Sequence, residues 1–270
     1  MDRQIMCINW GTAFGAPYIN RLYAMVARNI TTPFKFVCFT DSTEGVRPEV
    51  ICHDLPPMLG HMPKNTRGKW PKSRLWARTL PDLEGPVLFL DLDVVITGSL
   101  DPFFEFGEPD DVVLARNAAK PFHRIGQTSI YRMPVGALAD LQEEFAADPQ
   151  AVADTYKWEQ VFVTKKAPNG VKLWPRKWVK HFRIECLPTF PLNYFMQPTL
   201  PADARVVIFA GMPNPKDAAL GQFSDDMPHL PPLQHIRRAL GAEKKFQAAR
   251  RYILPTKWVE RAWRDDQTRT

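Results

Sequence analysis

Long apolar runs are missing from this sequence. No stretch approaches the ~20 consecutive apolar residues that a membrane-spanning helix needs. The N-terminus, Met1-Asp2-Arg3-Gln4-Ile5, enters an apolar strand-like run directly, without the basic and then apolar segments of a signal peptide. A cytoplasmic protein is expected, with contact at a membrane surface left open. Cysteine is also scarce. Cys7, Cys38, Cys52 and Cys186 are the four in the chain. They form no CxxC pair and have no histidine at zinc-ligand spacing, and three of them sit in or beside apolar runs, so buried reduced thiols are expected. Internal repeats and low-complexity tracts are absent. Neither sign of charge dominates: 35 Lys and Arg stand against 29 Asp and Glu, a net of +6. That modest basic excess favours anionic partners, such as nucleotide phosphates or acidic headgroups. The hydrophobic fraction of 45% over 270 residues is enough for a real core and argues against global disorder.

What is present is an alternation of strands and helices. Ile5 to Trp10 reads as a buried first strand ended by Gly11. From Tyr18, apolar residues recur at helical spacing (Ile19, Leu22, Tyr23, Val26, Ile30), and Pro17 suits a first helical turn. Phe34 to Phe39 is a second strand, closed by Thr40-Asp41-Ser42, and Val50-Ile51-Cys52 a short third. A polar loop from Pro56 to Lys69 precedes a helix expected to start at Pro71. Val87 to Leu90 is a continuous apolar run, the mark of a central strand covered on both faces, and Val112 to Ala115 resembles another. Val135 to Ala147 reads as a helix, and a further helix is expected to carry Trp158 to Phe162. Arg205 to Phe209 is a late strand. This order predicts a mostly parallel sheet flanked by helices, with ligands beyond the carboxyl ends of the strands. Asn9-Trp10-Gly11, Thr40-Asp41 and Asp91-Leu92-Asp93 all fall at such ends.

The acidic triplet carries the chemistry. Asp91 and Asp93 leave an apolar strand two residues apart, a spacing that lets both carboxylates converge on one face. Such a pair is costly to bury unless a cation neutralises it. Mn²⁺ and Mg²⁺ are hard, oxygen-seeking ions commonly held by one or two carboxylates plus substrate phosphates. Two aspartates that merely end a strand are the plain alternative.

The flanks of the triplet decide between these. Trp70-Pro71-Lys72-Ser73-Arg74-Leu75, then Gly85 through Ile96 with the triplet inside, then Ser99-Leu100-Asp101, resemble the core of retaining GT-A glycosyltransferases, in particular family 8 and its bacterial relatives. The resemblance runs in order over roughly residues 4–216 and is strong only near the triplet. It implies a GT-A α/β fold (Rossmann-like, a nucleotide-diphospho-sugar transferase sheet), a UDP-linked hexose donor, Mn²⁺ or Mg²⁺ as cofactor, and a glycan or glycolipid acceptor. Asp93 is then the principal metal ligand, and Asp91 binds metal and ribose. Asn9, Trp10, Gly11 and Tyr18, with Thr40 and Asp41, match the region that holds the nucleotide. Lys72 or Arg74 contacts phosphate or sugar hydroxyls, and Leu92 sits between the ligands. Gln127-Thr128-Ser129-Ile130 matches the strand facing the donor sugar. Glu159-Gln160 matches the acidic–Gln pair beside the sugar's reactive face. Gly211 to Lys216 matches the loop that closes over the diphosphate, with Lys216 a candidate clamp. The chain departs from the pattern at Asn214, where the motif has Lys, and, with more consequence, at Ala210: no histidine stands at or beside it, where the family has its third metal ligand. Trp10 and Tyr18 can equally be core aromatics, and Lys72, Arg74, Glu159 and Gln160 solvated surface.

Residues 1–216 are read as the catalytic domain and 217–270 as a basic, aromatic extension. There Lys244, Lys245, Arg250, Arg251, Lys257, Arg261 and Arg264 alternate with Phe246, Tyr252, Trp258 and Trp263. Such a segment can lie on an anionic membrane or pack on the domain through its aromatics. No motif supports nucleic-acid binding. Two rival functions are open. Leu90-Asp91-Leu92-Asp93-Val94-Val95 also fits the first motif of haloacid-dehalogenase-type phosphatases, with Asp91 as nucleophile. The missing histidine also allows a nucleotide-sugar-binding protein without transfer.

Overall fold

The computed structural model describes residues 2–266; the last four residues of the expected 217–270 extension lie outside them. Strand β1 (Arg3–Asn9) is followed by helix α1 (Ala16–Asn29), then β2 (Phe34–Thr40), β3 (Ile51–His53), β4 (Pro86–Leu90) and β5 (Val94–Ile96). Next come α2 (Asp101–Glu105), β6 (Val113–Arg116), β7 (Gly126–Pro134), α3 (Ala139–Ala147), α4 (Pro149–Tyr156) and α5 (Glu159–Lys166). The chain closes with β8 (Lys172–Leu173), β9 (Val179–His181), β10 (Val206–Ile208), α6 (Pro215–Leu220), α7 (Pro232–Leu240), α8 (Lys245–Ala249) and α9 (Lys257–Ala262).

Seven strands form one sheet in the order β3-β2-β1-β4-β7-β6-β8. β3, β2, β1 and β4 are mutually parallel, and β7 is antiparallel to both of its neighbours. The continuous apolar runs are explained by what lies on each face. Side chains alternate along a strand, so Ile5, Cys7, Phe36, Cys38, Leu88 and Leu90 enter one core with α1. Met6, Ile8, Val37, Phe39, Val87 and Phe89 enter another, with α3, α4 and α5. A sheet buried on both sides cannot show the apolar–polar alternation of a solvated one. β5, expected only as a flank of the triplet, instead begins a second sheet of three strands, β5-β10-β9.

Two elements differ from expectation. The helix expected from Pro71 is a 3₁₀ helix, Trp70–Trp76. Its three-residue turn aligns Trp70, Ser73 and Trp76, and both tryptophans are buried in the second core. Trp70 stacks on Phe145 at 4.8 Å between ring centroids. The helix expected from Val135 starts only at Ala139, because β7 runs on to Pro134 and Gly136, at φ +83°, turns the chain.

The C-terminal segment returns to the core. Val259 is fully buried in the first core, and Trp263 packs edge-on against Tyr18 at 5.1 Å with Arg21 over its ring at 4.3 Å. Arg28 of α1 donates to the Ala262 carbonyl at 2.6 Å, supplying a cation to the last carbonyls of α9. Tyr252 is buried and Trp258 half-buried, so of the four tail aromatics only Phe246 is exposed. It belongs to an apolar face with Phe195, Leu233 and Leu240. Among the described residues no helix is long and apolar enough to cross a membrane. Trp263→Ala is expected to cost about 3–5 kcal/mol, the usual range for emptying an aromatic core position, and to lower the urea midpoint of the whole chain. An unchanged midpoint would show that the tail does not brace the core.

Candidate active site

Because β1, β2 and β4 run parallel, their carboxyl ends meet on one edge of the sheet. Asn9 ends β1, Thr40 ends β2, and Asp91 follows β4. Asn9 donates to the Thr40 hydroxyl at 3.1 Å and accepts from the Gly15 N–H at 3.2 Å. The Gly11 N–H donates to the Asp41 carboxylate at 2.7 Å, from a turn in which Gly11 has φ +66°. Asn9 with Thr40 and Gly11 with Asp41 thus form two hydrogen-bonded pairs across the ends of β1 and β2. Trp10 is half-buried against the second core. Tyr18 is buried between Phe14, at 4.8 Å, and Trp263. Burial, with Asp217 and Asp93 adding to it, pushes the Tyr18 hydroxyl up to about 12; its ring is taken up by core packing.

A cavity of about 560 Å³ opens beyond the end of β4, and Lys72, Asp91, Asp93, Glu159, Gln160 and Gly211 all line it. The Asp91 N–H donates to the Ser129 carbonyl at 2.8 Å, and Leu92 is buried in the first core, so the turn carrying both aspartates is held on each side. The 3₁₀ winding that buries the tryptophans delivers Lys72 to the sheet. Its ammonium, only 5% exposed as a residue, lies 2.6 and 2.7 Å from the two Asp91 oxygens and 3.3 Å from the Thr128 carbonyl. Burial works against the charge on Lys72, but Asp91, Glu159 and Asp93 outweigh it and hold the ammonium above its ordinary value. Asp93 has no such partner. Burial, reinforced by Asp91, pushes its carboxyl up to about 7. Glu159 is buried at the start of α5, where it accepts from the Lys69 N–H at 2.8 Å and the Thr128 hydroxyl at 3.2 Å.

The remaining expected residues lie elsewhere: Asn9, Trp10, Gly11, Tyr18, Thr40 and Asp41, at the ends of β1 and β2 and on α1, are not among the cavity walls, and neither is the buried Leu92. Arg74 donates to the Pro56 carbonyl at 2.6 Å and does not line the cavity. Lys216 is exposed and paired with Asp225 at 3.2 Å, also away from the cavity walls. Sequence reasoning missed several residues that do line it, including Arg67, Lys69, Asn117, Lys120 and His181. The first two belong to a basic loop that read only as polar, and His181 carried no motif at all. Burial, followed by nearby Arg183, lowers the His181 imidazole, and its Nδ1 is buried without a hydrogen-bond partner.

Among the described residues no three His, Cys, Asp or Glu side chains gather closely enough to hold a metal by themselves. The donor set that is present, two carboxylates with excess negative charge, fits a hard divalent ion completed by substrate oxygens and water. As for the phosphatase motif, three strands precede β4 in the chain. Asp225 and Asp226 sit in an exposed turn bridged from Ser224 to Met227, not at a strand end.

Removing Lys72 should be expensive. Lys72→Ala leaves the half-buried Asp91 carboxylate, 18% exposed, unpaired and is expected to destabilise the fold by about 1–3 kcal/mol. Lys72→Met combined with Asp91→Asn should recover most of that loss. Urea denaturation of the three proteins checks this, and equal midpoints for Lys72→Ala and wild type would remove the ion pair as a structural element.

No protein-family model and no curated protein matches this chain. Solved structures do. The galactosyltransferase LgtC, in complex with donor and acceptor sugar analogs, superposes at TM-score 0.56 with 15% identity, over 94% of this chain and 98% of that one. The glycosyltransferase GlyE of Streptococcus pneumoniae TIGR4 gives TM-score 0.54 at 12% identity, over 95% of this chain and 66% of that one. The bifunctional glycosyltransferase WbbM gives 0.52 at 12% identity, over 93% and 52%. At such identities the likeness speaks for architecture, and the chain has the fold of GT-A-type glycosyltransferases.

Proposed function

We propose that this chain transfers a hexose from a nucleotide diphosphate sugar, UDP-linked by the sequence resemblance, to a hydroxyl of a glycan or glycolipid acceptor. The observation that carries the reading is the cavity beyond the carboxyl end of β4, where Asp91, Asp93, Lys72, Glu159 and Gln160 converge on a GT-A fold. The likeness to LgtC, described with donor and acceptor sugar analogs, supports the same assignment.

In this reading Asn9, Gly11, Thr40 and Asp41 receive the nucleoside, with Trp10 and Tyr18 as a packed floor. Asp91 and Asp93 are the residues that would hold Mn²⁺ or Mg²⁺, with the donor's phosphate oxygens supplying further ligands. The ion, when bound, stabilises charge on the departing diphosphate. The chain's own work is positional. Lys72 fixes Asp91 and favours its ionised form against burial, which raises the carboxyl above its ordinary value. Lys69, Arg67 and Lys120 add positive charge to the walls facing the phosphates. Gly211 leaves the backbone free to approach the donor, since an added Cβ there would meet open space. Glu159 is locked by Lys69 and Thr128, and by the family resemblance its neighbour Gln160 stands beside the sugar's reactive face. The bond between the anomeric carbon and the diphosphate oxygen breaks, a bond to the acceptor oxygen forms, and the acceptor proton leaves with the nucleotide phosphate. Alignment of the two substrates supplies much of the rate. Retention of anomeric configuration follows the family resemblance. The exposed face of Phe195, Leu233, Leu240 and Phe246, beside Arg237, Arg238, Lys244 and Lys245, is read as the contact with an anionic membrane surface.

Calorimetric titration of UDP into the purified protein is expected to show binding with Mn²⁺ and a loss of at least tenfold in affinity with EDTA. No binding in either condition would sink the transferase reading. Asp93→Ala should abolish hexose transfer from UDP-sugars, by three orders of magnitude or more, while circular dichroism stays native. Near-normal turnover in that variant would remove the aspartate pair from the mechanism.

A further inference from the structure

A second groove, of about 940 Å³, adjoins the donor cavity, and Ala119 and His181 line both. Its chemistry is different. The donor cavity mixes carboxylates with cations, whereas the second groove carries Arg183, Arg250 and Arg251 and no Asp or Glu. Among the described residues none of these three arginines is ion-paired. Glu185, the acid closest to Arg183 in sequence, is taken by Lys180 at 3.1 Å and Arg176 at 3.9 Å. Aromatic rings hold the guanidiniums instead. Arg183 and Arg251 lie over the same Phe223 ring, at 5.8 and 5.2 Å from its centroid, and Arg250 lies over Phe246 at 5.5 Å. A guanidinium stacked on a ring keeps its N–H edges free for hydrogen bonds. Arg183 belongs to the turn after β9, and Arg250 and Arg251 follow α8, so only the folded chain brings them together.

Like charges are not gathered around one concavity without cost. Three guanidiniums without counter-charges repel one another, and an anion is what relieves them. We propose that this groove is the acceptor subsite, and that the acceptor carries an anionic group, phosphate or carboxylate, near the hydroxyl that receives the sugar. The proposal rests on the transferase reading above and adds the acceptor's chemical class to it. Three features support it. The groove adjoins the donor cavity, sharing Ala119 and His181 with it, so a molecule seated there lies next to the donor site. Its volume lies in the ~300–1,000 Å³ range of small-ligand sites. An acceptor that is itself anionic must also approach a diphosphate, and the arginines offset that repulsion with charge-assisted, bidentate bonds.

The test is calorimetric titration of glucose 6-phosphate, and of glucose, into the full chain already saturated with UDP. Glucose 6-phosphate is expected to bind at least tenfold more tightly than glucose. Arg183→Gln combined with Arg251→Gln should erase that advantage while leaving UDP affinity unchanged, and Arg183→Lys should retain part of it. All of these side chains are exposed, and unchanged UDP binding certifies the fold. Equal affinities for the two sugars, with UDP still bound, would overturn the acceptor assignment and leave the transferase reading standing. Failure of UDP itself to bind the wild-type chain would overturn both. A third outcome would assign the arginines to the membrane and overturn the proposal: the double variant loses binding to phosphatidylglycerol vesicles but keeps its affinity for glucose 6-phosphate.

Discussion

A buried ammonium makes the acidic end of β4 tolerable. Asp91 and Asp93 leave the sheet where water is largely excluded, and two carboxylates in such a place repel each other and resist ionisation. Lys72 meets Asp91 at 2.6 Å and offsets one of the two charges. Asp93 stays uncompensated, and its carboxyl is held near 7 by burial and by its neighbour. The aspartate pair itself therefore keeps one carboxylate without a direct ion-pair partner, with Arg67, Lys69 and Lys120 elsewhere on the cavity walls. A divalent ion or a cationic substrate edge would complete it. Everything that positions Lys72 serves this balance, beginning with the two tryptophans that fasten its 3₁₀ helix to the second core.

The two-sided sheet is what makes the edge rigid enough to matter. Alternate residues of β1, β2 and β4 enter separate cores, so none of these strands can shift register without moving apolar side chains on both faces. Their carboxyl ends are fixed relative to one another, and the loops that follow them can carry polar groups at defined spacing. Glu159 shows the same principle at the rim. Two hydrogen bonds, from Lys69 and Thr128, lock a carboxylate that would otherwise swing with the start of α5.

The chain beyond α6 has two separate jobs. Val259 and Trp263 are embedded in the first core beside α1, while α7 and α8 carry an apolar face and arginines toward solvent. The aromatics that looked alike in sequence divide by burial. Tyr252 stacks on Tyr194 at 4.4 Å and Trp263 packs edge-on against Tyr18, whereas Phe246 stays outside.

Some of this was legible in the sequence, and the reason is local. Continuous apolar runs marked the buried strands, turn residues marked their ends, and the order of elements made a mostly parallel sheet the consistent arrangement. Asp91, Asp93, Lys72, Glu159 and Gln160 were visible because they stand beside such runs at recognisable spacing. Tertiary structure decided the rest, because it depends on contacts between distant segments. Nothing local distinguishes Lys72, which reaches Asp91, from Arg74, which reaches Pro56; a 3₁₀ turn in place of an α-helical one sets their directions. Lys216 looked like a phosphate clamp by its loop, and an exposed pair with Asp225 holds it away from the cavity. His181 and Arg183 belong to a strand and turn without a motif, and they face the cavities only because β9 pairs with β10. Residue type and spacing determined which chemistry this chain could carry, and the packing of segments far apart in sequence decided which of those residues share a site.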